Sequence, residues 1–240
     1  LAIDTALNAC AACVLDTDEG RLVAHESLPM KRGHAEALMP LIARVMDATG
    51  IAFTSLDRIA ATTGPGSFTG LRVGLSAARG IALAANKPAV GVTTLMAYAA
   101  PVVGENREAP VISAIDARHD HVYFQAVGGD GSTLIPPQVA PIEEALAASR
   151  FGAPHLVGNA ARLLADRWPA HAPPPIAVDP QAAPDIAWVA WLAAAVDPDA
   201  APPRPTYLRA PDAKPAGDLP HKTSRPAASS TPPASGPTRC

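Results

Sequence analysis

The chain has 240 residues, of which 48% are hydrophobic and 4% aromatic, with a formal net charge of −3. That apolar content can bury one large core or two smaller ones, while the acidic balance speaks against unaided binding of nucleic acid. No apolar run reaches the roughly 18 residues of a membrane span, no leader pattern opens the sequence, and the start at Leu1 implies a residue or two ahead of the first strand; the expected location is the cytoplasm.

LAIDTA predicts a strand, and CAACVLD and RLVAHESL predict two more, joined across the turn-rich DTDEG. Cys10 and Cys13 form a CxxC, a spacing used in redox and zinc chemistry. Side chains three apart on a strand point to opposite faces, and no second pair completes a zinc site. They therefore read as two core thiols. RGHAEALMPLIARVMDATG places Leu38, Leu41, Ile42 and Val45 at helical spacing, with Gly50 as a stop. RIAATTG is a buried strand that runs into TTGPGSFTGLRVG, and a long helix follows through AANK. PAVGVTT adds a strand and LMAYAA a helix, so this half reads βββαβαβα.

The pattern then restarts. AID occurs at residues 2–4 and again at 114–116, and the following strands and Gly/Asp turn line up across the two halves with one gap. IEEALAAS and AARLLADRW predict helices, HLVGN a strand, and DIAWVAWLAAAV a closing amphipathic helix. Repetition at this spacing is a duplicated domain. The expected fold class is α/β: the duplicated two-lobe, RNase H-like plan of actin, sugar kinases and Hsp70, each lobe βββαβαβα with a mixed sheet. The expected domains are residues 1–104, residues 105–211 with the final segment RPTYLRAP, and a Pro/Ala/Ser tail over 212–240 too poor in apolar surface to order.

Actin-like ATPases hold phosphates with Asp-x-Gly-Ser/Thr after the first strand of each lobe. The corresponding residues here are Asp4-Thr5-Ala6-Leu7 and Asp116-Ala117-Arg118-His119. The aspartates remain, but Ala6 and Arg118 replace the glycine, so Asp4, Thr5, Asp116 and Arg118 mark degenerate phosphate loops. Asp4 and Asp116 read more simply as strand-end caps. The glycine-rich turn matches no standard phosphate site: it lacks the Walker lysine, and Gly64, Gly66 and Gly70 miss the dinucleotide spacing. Advancing the helix at about 100° per residue puts Gly70, Gly74, Ala77, Ala78 and Ile81 in one stripe of mostly small side chains. In the preceding helix Met39 and Met46 widen the arc of Leu38 and Ile42. Two readings stay open: a docking face for a partner helix pair, or internal core. His34 would begin an H-x-x-x-H metal pair, but the fifth position is Leu38; His119 and His121 share a predicted strand face without a third ligand. No catalytic or metal residue is assigned.

GHAEALMPLI, TGPGSFTGLRVGLSAARGIALA, GVTTLMA, AIDARHDHVY and PTYLRAP together resemble the TsaB (YeaZ) family over about residues 1–210, and the GPGSFTGLRVG block is its most specific part. The resemblance implies an accessory subunit with a degenerate site in the making of N6-threonylcarbamoyladenosine beside the anticodon of tRNA. Its expected partners are the catalytic paralogue TsaD and the ATPase TsaE, with homodimers as a further option, no membrane, and tRNA met only through the complex. Dimers would form through the helices near 34–48 and 67–86, and Leu38 separates this chain from TsaD. No cofactor is expected beyond weak nucleotide binding at an interface. The competing classes are an actin-like ATPase or kinase, and a glycoprotease-like metallopeptidase. The tail after residue 212 departs from the family pattern.

Overall fold

The computed structural model describes residues 1–103 and 108–209. The first half runs β1 (Ala2–Asp4), β2 (Ala9–Asp16), β3 (Arg21–Pro29), α1 (His34–Thr49), β4 (Ile59–Gly64), α2 (Phe68–Ala85), β5 (Ala89–Thr93) and α3 (Thr94–Ala99). The second runs β6 (Val111–Asp116), β7 (His121–Val127), β8 (Thr133–Pro141), α4 (Ile142–Leu146), β9 (His155–Val157), α5 (Ala161–Asp166), β10 (Ala177–Asp179) and α6 (Ile186–Ala195). The strands form two sheets, ordered β3-β2-β1-β4-β5 and β8-β7-β6-β9-β10. Element by element the two orders are the same. In each, the first strand is central, antiparallel to the second and parallel to the fourth. This is a two-lobe, mixed-sheet α/β fold.

Alternation along β2 builds both faces of the first sheet. Cys10, Ala12 and Val14 join Ile3 beneath α1 and α2, against Leu38, Leu41, Ile42, Leu71 and Leu75. Ala11 and Cys13 face the other way, with Ala2, Val90 and Val92, onto Ile186, Val189, Ala190 and Ala193 of α6. The two thiols lie on opposite faces, as the strand spacing predicts, and burial pushes them up to about 11 and about 12.

α6 thus belongs to the second half in sequence and to the first lobe in packing. Arg58 fastens its end, with Nη1 donating to the carbonyls of Ala193, Ala194 and Val196 at 2.8, 3.2 and 2.9 Å. α3 makes the converse crossing: Leu95, Tyr98 and Ala99 pack on Val111, Ile115, Val127 and Val157 of the second sheet. After α6 the chain returns along the first lobe, where Gly91 N donates to Ala201 O and Thr206 N to Thr63 O.

Two details differ from expectation. β10 is a strand in PPPIAVDP, where the flanking prolines hide a three-residue pairing with β9. α6 is apolar nearly all round because it packs on the sheet and also touches α3, so it lacks the single face of an amphipathic helix. The boundary at 104/105 and the tail over 212–240 lie outside the described residues. No described helix is long and apolar enough to cross a membrane.

Candidate functional site

β1 delivers Asp4 to the end of the first sheet, where it is 0% exposed. Its Oδ1 accepts from Thr62 Oγ1 at 2.6 Å and from Ala6 N at 3.0 Å, while Oδ2 has no partner. Burial pushes this carboxyl above the usual range; the bonds from Thr62 and Ala6 and the nearby His34 oppose the shift and are outweighed. Next to it, Thr5 donates from its hydroxyl to Gly70 O at 2.7 Å. Ser67 N donates to Ala6 O at 2.8 Å, and Ser67 Oγ caps α2 by accepting from Gly70 N at 3.2 Å.

The glycines of the turn explain how these groups come so close. A Cβ on Gly66 would collide with the Ala6 carbonyl, one on Gly70 with the Thr5 carbonyl, and one on Gly74 would lie 2.5 Å from Thr5 Oγ1. The first turns of α2 ride directly on residues 3–6. The docking-face expectation is corrected accordingly. Leu38, Ile42, Met46, Gly70, Gly74 and Ala78 are buried within this chain, because the stripe of small residues faces its own β1 loop. Met39 stays 52% exposed, and Ala77 and Ile81 are half-buried on a flank of α2 shared with Val73, Gly80 and Ala84.

The second loop is built differently. Asp116 is exposed; its N donates to Asn159 Oδ1 at 2.8 Å and its Oδ1 accepts from Arg118 N at 2.7 Å. Arg118, His119 and Asp120 all take left-handed backbone angles, with φ of 61°, 51° and 54°. This turn removes His119 from the strand, so it does not share a strand face with His121; its carbonyl instead sits 2.7 Å from His121 Nδ1. The structure therefore does not bring Asp4, Thr5, Asp116 and Arg118 to one equivalent pair of loops: the first is sealed and the second open. His34 opens α1 with Nε2 3.0 Å from Leu7 O, and Leu38 one turn on is 1% exposed in the core. Among the described residues no group of three or more His, Cys, Asp or Glu could hold a metal ion.

Sequence reasoning missed a cluster on the other flank of α2. The Arg72 guanidinium lies 3.8 Å from the centroid of the Phe68 ring, and Tyr207 lies 5.4 Å from Phe68, centroid to centroid. Arg72 Nε reaches Tyr207 Oη at 3.4 Å, and Arg79 donates to Pro203 O. The spacing 68, 72, 79 was readable as one helix face; the return of residues 201–207 onto it was not.

A family model described as "TsaD: tRNA N6-adenosine threonylcarbamoyltransferase" matches residues 23–179. The solved structure "YeaZ from Pseudomonas aeruginosa" superposes with a TM-score of 0.71 at 29% identity, covering 86% of this chain and 98% of that one. The Escherichia coli (strain K12) "tRNA threonylcarbamoyladenosine biosynthesis protein TsaB" is 39% identical over 124 residues. The chain belongs to the TsaB/YeaZ family. It spans about half the length of the first curated relatives it matches: the TsaB alignment covers 52% of each chain. An uncharacterized protein of Mycobacterium tuberculosis extends the likeness, with 31% identity over 90% of this chain and 93% of that protein. The TsaB/YeaZ fold is the actin-like two-lobe plan.

Proposed function

We propose that this chain is a non-catalytic scaffold in tRNA threonylcarbamoyladenosine biosynthesis, acting in the cytoplasm. It binds and activates a TsaD-type catalytic paralogue for threonylcarbamoyl transfer to the adenosine beside the anticodon. A TsaE-type ATPase joins the assembly, the chain self-associates when its partner is scarce, and it needs no cofactor. The observation that carries the reading is the sealed first loop: Asp4 is 0% exposed, and the first turns of α2 lie against the Thr5 and Ala6 carbonyls. A lobe closed in this way is suited to holding a partner. The surface proposed for that is the outward side of α1 and α2 through Met39, Ala77 and Ile81, with Gly80 and Ala84 allowing close approach.

The test is light scattering on a sizing column, with the chain alone and mixed with the TsaD paralogue of the same genome. The expected result is a discrete heterocomplex that Met39→Glu combined with Ala84→Arg abolishes while leaving the melting temperature unchanged. Sustained ATP turnover by the isolated chain, or no complex at micromolar concentrations, would overturn the proposal.

A further inference from the structure

Charge is segregated along this acidic chain. Residues 1–199 carry 13 Lys/Arg against 20 Asp/Glu, a net of −7, whereas residues 200–240 carry 6 against 2, a net of +4. A second segment has no carboxylate at all: no Asp or Glu occurs between Asp57 and Glu105, where Arg58, Arg72, Arg79 and Lys87 fall. The fold packs the described start of the first stretch, residues 200–209, against the second. The returning segment lies on α2 through the contacts of Arg72 with Tyr207 and of Arg79 with Pro203, and Arg204 stands exposed beside them. Among the described residues, Arg72, Arg79 and Arg204 make no ion pair with a carboxylate. In their midst Phe68 and Tyr207 each keep 44% of their surface exposed.

Cations with no carboxylate partner among the described residues, interleaved with exposed rings, are the chemistry that holds an unpaired nucleic-acid strand: guanidinium groups take phosphates and rings take bases. An acidic peptide would be served by the arginines alone and would leave the rings unused. We propose that the face formed by Phe68, Arg72, Arg79, Arg204 and Tyr207 docks single-stranded RNA. Arg72, Arg79 and Arg204 meet its backbone, and a base stacks on the Phe68–Tyr207 pair. On the α2 helical wheel this face lies roughly 140° from the flank assigned to the protein partner, so both can be occupied at once. The inference rests on the chain's own surface, and it stands or falls separately from complex formation.

The test is fluorescence anisotropy of a labelled short oligouridine titrated with the full chain, repeated across salt concentrations. Expected is binding with a dissociation constant between about 1 and 100 µM at low salt, weakening linearly on a log–log salt plot. Arg79→Gln should reduce that slope by about 1, and Phe68→Ala or Tyr207→Ala should weaken binding roughly 5- to 100-fold. Arg204→Glu, at an exposed position, should weaken binding without touching the helix. Circular dichroism confirms that each variant is folded. No binding up to about 100 µM at low salt, or equal binding by all folded variants, would overturn the proposal. So would displacement of the RNA by polyglutamate as readily as by unlabelled oligouridine, which would show a face that reads charge alone.

Discussion

Asp4 is a carboxyl with one oxygen satisfied and the other enclosed without a partner. Because its folded pKa is raised, the native chain keeps a proton that the unfolded chain releases. The associated stability is fully present below the unfolded carboxyl value, near 3.8, and is lost as pH climbs from there through the folded value. Asp4→Asn keeps the oxygen that accepts from Thr62 and Ala6 and removes the titration. Thermal melts across pH should show the variant as stable as the parent at neutral pH or more so, with a flatter rise toward acid. A larger loss at neutral pH than at low pH would mean that the native carboxylate is ionised. The sequence placed Asp4 at a strand end, and the missing glycine at Ala6 marked its loop as altered. It could not show that Asp4 is sealed, because the lid comes from residues 66–74, far along the chain. Cys10 and Cys13 were readable in full, since strand alternation alone separates them.

α2 carries glycines with opposite roles. Gly70 lies against the Thr5 backbone, whereas nothing lies within 4 Å of a Cβ placed on Gly80. Gly70→Ala should lower stability by about 1–3 kcal/mol through overpacking against an atom that cannot move aside. Gly80→Ala should raise it by about 0.5–1 kcal/mol through helix propensity; urea melts of the two variants test the opposed signs. Gly74→Leu should lower the melting temperature sharply as well, the outcome of a stripe used internally. A run of small residues announces a close approach, but the sequence does not say whether the approaching backbone is its own. α6 poses the related difficulty of a helix apolar on most sides, which has no period to mark its inner face. Arg58 supplies what that helix needs at its end, donors for orphaned carbonyls. Arg58→Ala should cost about 2 kcal/mol and lower the melting temperature by roughly 4–8 °C. Arg58→Lys, with a less extended donor group, should recover only part of this.

At the scale of the molecule the duplication was legible, because the AID repeat and the order of turns recur and the two sheets repeat one strand order. The crossings were not: α6 returns to the first lobe and α3 reaches onto the second sheet, contacts that no local pattern records. They make the halves interdependent. A chain ending before Asp185 would leave Ala2, Ala11, Val90 and Val92 without their cover. It should show no cooperative melt, and it should bind a hydrophobic dye that the full chain does not.

The same crossing sets an order of events during synthesis. The first lobe leaves the ribosome long before α6 exists, with one sheet face covered by α1 and α2 and the other bare. About 90 residues separate the end of β5 from the start of α6, an interval of roughly 5–20 s at common elongation rates. Through that interval the nascent chain presents an unfinished apolar surface to chaperones. The half made first is completed last.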